Sequence, residues 1–337
     1  MYENMKKVTI EDVAKTAGVS RQTVSRAIND KGEISPVTKE HVLAVVEKLG
    51  YRPNRLAQGM VTQRTMTLGL VVPDITNLFF PEVARGVQDA GRENGYNILL
   101  CNTDDDPEEE MINLNSLADH QVDGIIMVSS CANEQRLAAF ADGYPSIVLV
   151  NRDFNHPNVS LIKTNNLRGG YLATEHLLSL GHRQIGMIAP PNYRDSKIKR
   201  AQGYQDALRA AGIDPDPNLV AIGENTLQGG YQETLKLLRE NPEMTAVFTY
   251  NDLMALGAIR ACRDAGRRVP ADIAIIGFDD ISLAAMVNPS LSSIHVDKYE
   301  LGQLALTRLL SKLDNPGNTL EPLLIDLSLV VRESTAG

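Results

Sequence analysis

VTIEDVAKTAGVSRQTVSRAINDKGEISPVTKEHVLAVVEKLGY, residues 8–51, reads as three short helices joined by tight turns. Thr9 is a good N-cap, and Glu11 and Asp12 place acid in the first turn, where the helix dipole favours it. Ile10, Val13, Ala14 and Ala17 recur at helical spacing, and Gly18 supplies the residue that ends the helix. Ser20 caps a second helix directly after the Gly18–Val19 turn. Val24, Ala27 and Ile28 face inward, which leaves Arg21, Gln22, Ser25, Arg26 and Asn29 outside. Ser35 and Pro36 open a third helix, which Gly50 closes.

A helix, a glycine turn and a second helix with an Arg/Gln/Ser/Asn face is the helix-turn-helix arrangement. The bland alternative is a small helical bundle whose polar face is merely solvated. Three coincident signals favour DNA: the order of the caps, the short Gly turn, and Arg and Gln at the start of the exposed face. Arginine donates two hydrogen bonds to guanine O6 and N7, and glutamine pairs with adenine N6 and N7. Ser20, Thr23 and Ser25 have the size for phosphate or base-edge contacts.

At 337 residues the chain is too long for one ordinary domain. Its net charge of −9 hides an asymmetry. Residues 1–64 carry 11 Lys/Arg against 7 Asp/Glu, and the remainder 22 against 35. A basic head on an acidic body fits a DNA-contacting module joined to a body that binds something else. Hydrophobic residues make up 43%, enough for a sizeable core. Cys101, Cys131 and Cys262 show no CxxC spacing and suit buried thiols in a reducing cytoplasm. The N-terminus lacks the apolar stretch of a signal peptide, and no apolar run is long enough to span a membrane, so a cytoplasmic location is expected.

After Tyr51, Pro53 breaks the preceding helix and can start another, with Arg52 or Asn54 near a DNA backbone. Gly59 makes that helix marginal, since glycine costs about 1 kcal/mol against alanine in a helix interior. From Thr67 onward apolar runs alternate with helical stretches. Strands are expected at 68–72, 97–100, 124–128, 147–150, 160–162, 184–188, 219–222, 246–250, 274–278 and 323–326. Helices are expected at 82–94, 169–180, 201–211, 227–240 and 253–265, several ending in Gly95, Gly181, Gly212 or Gly266. This alternation means doubly wound parallel α/β sheets, too many strands for one sheet and hence two similar subdomains. Ligands of such sheets sit beyond the carboxyl ends of strands. The residues there are polar: Asp74, Asn102, Ser129-Ser130, Asn151-Arg152, Asn251-Asp252 and Asp279-Asp280.

The head motif, together with YRPN at 51–54, EHLLSLGHRQIG at 175–186 and IGFDD at 276–280, resembles the lactose-repressor (LacI/GalR) family of bacterial transcription regulators, over essentially the whole chain. The resemblance implies a helix-turn-helix head at 1–52 and a hinge helix with linker at 53–66 that orders in the minor groove. It further implies a two-lobed, periplasmic-binding-protein-like core at 67–337. Its first lobe would take about 67–164 and 294–324, and its second about 165–293 and 325–337. Arg21, Gln22 and Arg26 match recognition positions, with Ser20, Thr23, Ser25 and Asn29 in support. The implied DNA contacts extend to Thr9, Tyr51, Asn54, Arg55 and Ala57. Met60 stands where the family usually has a leucine wedge, a role apolar side chains including Met can fill. Gly59 and Met60 depart from the pattern and make hinge ordering more dependent on DNA and a partner chain.

In the core the implied effector contacts are Asp74, Phe79, Phe80, Asn102, Asn151, Arg152, Arg194, Ser196, Arg200, Asn251 and Asp279. Asp and Asn suit vicinal hydroxyls, Arg binds oxygen pairs, and Phe packs on the apolar face of a sugar ring. Glu224-Asn225-Thr226 stands where an aromatic is common, which favours a sugar or polyol over a flat purine. The expected protein is a homodimeric repressor of a near-palindromic operator, controlled by a small effector, a sugar or sugar derivative. The alternative is a co-repressor-dependent regulator responding to a nucleoside, purine or phosphorylated metabolite. The C-terminal residues carry no leucine heptad, so a dimer is expected over a tetramer. An enzyme on the same scaffold lacks support: GxSxG, GxxxxGK[ST] and a strand-following GxGxxG are missing, and the six histidines lack metal-ligand spacing. Neither cofactor nor metal is expected, and Asp104–Asp106 reads as a solvated loop.

Overall fold

The computed structural model describes residues 8–28, 32, 34–51, 64–144, 146–191, 195–315 and 320–336. The chain divides into two compact units, Met1–Thr65 and Met66–Gly337. The smaller holds helices α1 (Ile10–Ala17), α2 (Arg21–Ile28) and α3 (Pro36–Leu49). Their core is built from Val13, Ala14, Ala17, Val24, Ala27, Val42 and Val45, the inward positions at helical spacing. Gly18 and Gly50 take positive φ, 65° and 62°, at the ends of α1 and α3, a conformation a Cβ would strain.

The larger unit alternates strand and helix. In its first half lie β1 (Thr67–Val72), α4 (Phe79–Glu93), β2 (Asn97–Asn102), α5 (Pro107–Asp119), β3 (Gly124–Val128), α6 (Glu134–Gly143), β4 (Ile147–Val150) and β5 (Val159–Thr164). The second half holds α7 (Asn166–Ser179), β6 (Ile185–Ala189), α8 (Asp195–Ala210), β7 (Val220–Ile222), α9 (Leu227–Glu240), β8 (Ala246–Thr249), α10 (Asp252–Asp264), β9 (Ala274–Asp279) and β10 (Ser292–His295). Then come α11 (Lys298–Asp314), β11 (Leu323–Ile325) and β12 (Ser328–Val330). Among the described residues these strands form two six-stranded sheets, ordered β11-β5-β4-β3-β1-β2 and β12-β10-β9-β8-β6-β7. The orders are the same topology twice. Among the described residues the chain passes between the sheets three times, after Thr164, His295 and Ile325.

Both faces of each sheet are covered, and the strand sequences show it. Leu68, Leu70, Val72, Ile126, Val128, Val148 and Val150 point into one apolar cluster. Their neighbours Val71, Ile125, Met127, Ile147 and Leu149 point into another on the opposite face. Successive side chains alternate faces, and strands buried on both read as continuous apolar runs.

Two strands escape the sequence reading. β10 begins with buried serines and β12 is three residues long, so neither stands out as an apolar run. β12 also pairs antiparallel with β10, an exception to the parallel expectation. The third crossing brings the chain back along the sheet edge after only two linking residues, too few to return it for a parallel pairing. α4 and α8 start earlier than the apolar periodicity suggests, α4 because Asn77 Oδ1 accepts the Phe79 N–H at 3.1 Å. Asp106 caps α5 by accepting the Glu108 N–H at 2.7 Å, so the acidic run is part loop, part helix start. Cys262 is buried, whereas Cys101 and Cys131 are only half-buried, and all three are free thiols.

Among the described residues, three helix pairs cross glycine to glycine. A Cβ on Gly170 would lie 2.2 Å from the Arg200 carbonyl oxygen, and one on Gly203 2.1 Å from that of Leu167. α9 and α10 repeat this with Gly230 against Met254 and Gly257 against Leu227, at 2.2 and 2.0 Å. α4 and α11 do so with Gly86 against Tyr299 and Gly302 against Val83, at 2.1 and 2.2 Å. Those distances are inside van der Waals contact, so only glycine allows such close approach. Each crossing lies within two turns of a site residue near a helix start: Arg200 on α8, Asn251-Asp252 at α10, and Lys298 on α11.

Candidate DNA-reading face and effector cleft

The head presents α2 as its polar face. Thr9 and Asp12 form a reciprocal capping box: Asp12 Oδ2 accepts the Thr9 N–H at 2.9 Å, and Thr9 Oγ1 accepts the Asp12 N–H at 3.3 Å. Ser20 Oγ accepts the Thr23 N–H at 3.1 Å and lies 3.0 Å from the Thr23 hydroxyl. Thr9 and Ser20 are therefore helix caps first, and a phosphate would reach them beside those bonds. Arg21, Gln22 and Arg26 are exposed, while Thr23 and Ser25 are half-buried. Tyr51 packs against the head core. Asn29 and residues 52–63, which include Asn54, Arg55, Ala57 and Met60, lie outside the described residues.

Arg21 Nε sits 3.4 Å from Glu11 Oε2, both side chains about two-thirds exposed (68% and 67%). An exposed pair of this kind is worth about 0–1 kcal/mol. A bidentate contact to a guanine discriminates by about 1–3 kcal/mol. The pair pre-positions Arg21 without holding it back from a base.

In the larger unit the carboxyl ends of the two sheets meet. Lys199 on α8 binds Asp153, which follows β4, at 2.7 Å, and the Asp153 N–H donates to Asp195. At the centre of the second lobe stands Arg200, 4% exposed. Its Nε donates to Asn166 Oδ1 at 2.8 Å, Nη1 to the Tyr250 carbonyl, and Nη2 to Asp279 Oδ1 at 3.3 Å. Its guanidinium carbon lies 3.4 Å from the Phe278 ring centre and 4.5 Å from that of Tyr250, a cation against two aromatic faces. Ser196 Oγ is 2.8 Å from the Tyr250 hydroxyl. Asn251 caps α10 by accepting the Met254 N–H at 3.0 Å and donates to Asn225 Oδ1 at 2.7 Å.

Burial raises the Asp279 carboxyl to about 6, although Arg200 and Lys298 both pull the other way. Asp252 is fully buried, and burial together with the charge of Asp279 pushes its carboxyl well above the usual range. Asp252 Oδ1 accepts the Ser293 hydroxyl at 2.6 Å and Oδ2 the Ile281 N–H at 2.8 Å. Gly277 makes room for it, since a Cβ there would stand 2.1 Å from Asp252 Oδ1. The IGFDD segment is thus a turn wrapped around a buried acid.

First-lobe candidates are more occupied with shaping loops. Asp74 Oδ1 accepts the Thr76 N–H at 2.8 Å, and Asn102 Oδ1 the Ile75 N–H at 2.7 Å, which fixes the loop into α4. Phe79 and Phe80 meet edge to face with centres 5.2 Å apart and belong to the buried core. Asn151, at φ 61°, accepts the Thr164 N–H at 2.8 Å and its hydroxyl at 2.9 Å. Arg152 Nη1 donates to Ser130 Oγ at 2.8 Å, and Ser130 in turn donates to the buried Glu110. Arg194 lies outside the described residues. Sequence reasoning missed Asn166, Glu110, Tyr250 and Lys298; a cation opening a helix at a sheet crossing was the one available signal for Lys298. Among the described residues no cluster of His, Cys, Asp or Glu could hold a metal ion, and no helix is long and apolar enough to cross a membrane.

Residues 9–54 match the family of bacterial regulatory proteins, lacI family, and residues 174–335 the periplasmic binding protein-like domain. Catabolite control protein A of Priestia megaterium is 36% identical over 313 residues, covering 91% of this chain and 93% of its own. The ribose operon repressor of Haemophilus influenzae is 36% identical over 326 residues, covering 97% and 98%. The HTH-type transcriptional repressor PurR of Histophilus somni is 34% identical over 330, covering 97% and 98%. Among solved structures, the lac repressor dimer bound to operator and the anti-inducer ONPF has a TM-score of 0.89 at 30% identity, covering 98% of this chain and 100% of that one. A complex of the transcriptional regulator CelR with cellobiose has a TM-score of 0.74 at 34% identity, covering 97% and 99%. With the helix-turn-helix head and the paired six-stranded sheets, these likenesses mean that the chain belongs to the lacI family of bacterial regulatory proteins, which are DNA-binding transcription regulators.

Proposed function

We propose that the chain is a homodimeric, cytoplasmic repressor without catalytic activity whose hold on a near-palindromic operator is set by a neutral sugar bound between the lobes. Two heads on successive half-sites would read bases through Arg21, Gln22 and Arg26, with Thr23 and Ser25 on the phosphates. The observation that carries the effector reading is the Arg200 hub. A buried guanidinium and a carboxylate converge at the strand ends of the second sheet, with Tyr250 and Phe278 packed on the guanidinium, and such a pair suits vicinal hydroxyls of a ring. Relatives that bear a ribose name and a cellobiose ligand support the same class. The purine reading of the PurR relative is less favoured, because Asn225 occupies the neighbourhood of Asn251 without offering a stacking ring. Effector and operator affinities must be coupled reciprocally, by the same factor in both directions.

Thermal melting of the full chain against sugars, nucleosides and phosphorylated metabolites tests this. A cognate ligand at a hundredfold its Kd adds about 2.7 kcal/mol. A neutral sugar is expected to raise Tm in the parent and not in Arg200→Lys, which cannot keep the three-way fork. If nucleosides alone shift the transition, the purine reading replaces the sugar; if no compound does, the small-effector reading loses its support.

A further inference from the structure

We propose that Lys298 is a positioning residue that ties the angle between the lobes to the carboxylate of Asp279. The inference rests on the reading of Asp279 as an effector contact. Lys298 is the first residue of α11, the helix that packs on the first-lobe sheet and crosses α4. Yet its ammonium reaches into the second lobe. It donates to the carbonyls of Asp279 at 2.8 Å, Asp280 at 2.8 Å and Val296 at 3.2 Å, and lies 3.6 Å from Glu82 Oε2. The residue is 3% exposed. Three carbonyls match the three donors of an ammonium, so Lys298 is saturated by backbone and is a clamp rather than an effector ligand. A cation at a helix N-terminus also works against the helix dipole, so its placement is held by those carbonyls and by Glu82 and not by the helix.

What it clamps is strained. Asp279 and Asp280 have φ of 102° and 52°, both in the left-handed region that residues with a Cβ avoid. Such a turn persists only where its surroundings over-determine it. The second lobe restrains it through N–H groups, Asp280 N–H to Ser293 Oγ at 3.0 Å and Ile281 N–H to Asp252 Oδ2 at 2.8 Å, and through the Asp280 carboxylate, which meets Arg332 at 2.7 Å and His295 at 2.9 Å. What the first lobe adds is Lys298, which holds the two carbonyls through its ammonium. If the lobes part, α11 withdraws the ammonium and the two carbonyls lose their partner. The turn then relaxes, and the first bond to go is the longest in the hub, Asp279 to Arg200 at 3.3 Å. A ligand that holds Asp279 in place therefore favours the arrangement in which Lys298 is seated, and nothing more than this difference is needed to shift the population.

The test needs no effector. In the full chain with its three cysteines replaced by alanine, nitroxides are placed at exposed Gln135 on α6 and exposed Gln232 on α9, and their separation is measured by pulsed electron paramagnetic resonance. Lys298→Met is expected to add a population at longer distances than the parent shows. Lys298→Arg, which keeps a charged multiple donor, returns the distribution toward the parent. A parent-like distribution in Lys298→Met overturns the proposal, as does a Lys298→Arg protein as open as Lys298→Met. Should Lys298→Met fail to fold, Lys298→Gln, with an amide donor and no charge, must show the longer population to a lesser degree; its absence there overturns the proposal equally. Failure of the effector reading would show separately, as melting curves that no compound moves.

Discussion

Arg21 and Arg200 are the same side chain put to opposite uses by burial. Arg21 stands at the start of an exposed helix face with one weak partner, Glu11 at 3.4 Å, and its remaining donors are available to a base. Arg21→Ala should cost roughly 1–3 kcal/mol of operator affinity and relax preference at one base position. Competitive binding to a pool of operator variants measures both. A loss spread evenly over all sequences would make Arg21 a phosphate contact instead, and Glu11→Ala should leave the preference intact. Arg200 by contrast has its fork filled by Asn166, Tyr250 and Asp279, so removing it strands buried acceptors. The two also differ in how far sequence could read them. The cap, the Gly turn and the helical spacing around Arg21 are local signals. Arg200's partners come from 34, 50 and 79 residues away. Its residue type could nominate it, and only the fold could supply the company it keeps.

At the scale of elements the glycine crossings decide where the site residues stand. Gly203 meets backbone, with a Cβ placed 2.1 Å from the Leu167 oxygen and 2.6 Å from the Tyr171 nitrogen, so no side-chain rotation relieves a methyl there. Gly203→Ala should force α7 and α8 apart, destabilise by about 1–3 kcal/mol as overpacking does, and displace Arg200 one turn away. Gly143→Ala is the control: nothing lies within 4 Å of a Cβ there, and alanine loses less entropy on folding. Urea unfolding of both variants checks the contrast; equal midpoints for Gly203→Ala and the parent would mean the crossing is not tight. The helix-ending glycines 95, 181, 212 and 266 were legible because a positive φ at a helix end is a local demand, and φ there is 79°, 93°, 72° and 72°. Gly170, Gly203, Gly230 and Gly257 gave no such sign. In sequence they only weaken a helix, and their reason is another helix. β10 was lost for a related cause: its serines are satisfied by distant partners, Ser292 accepting the Arg332 N–H at 2.7 Å and Ser293 donating to Asp252 at 2.6 Å.

In the larger unit, among the described residues, Lys298 at the crossing into α11 reaches second-lobe carbonyls, and Asp153 after β4 pairs with Lys199 of the second lobe. The Asp153 contact depends on pH through its carboxylate. Burial tends to raise the Asp153 carboxyl, but hydrogen bonds and charge from Lys163 and Lys199 outweigh it and hold the group below the usual carboxylate range. The unfolded chain, with Asp near about 3.9, therefore takes up the proton more readily than the folded one. The contribution is fully present above that pH and is lost as pH falls through the lower, folded value. Asp153 and Lys199 are partly exposed, 46% and 34% at the side chain, so the effect is small and weakens with salt. Asp153→Asn removes the charge while keeping the shape. The gap in urea midpoint between parent and Asp153→Asn should be widest at about pH 6 and narrow toward about pH 3, with added salt narrowing it at the higher pH. Subtracting the variant cancels the titration of other carboxyls, including Asp279, whose raised pKa acts in the opposite sense. A gap that stays constant or widens on acidification would show that Asp153 joins the lobes by its backbone N–H to Asp195 alone, and that the clasp between them carries no charge dependence.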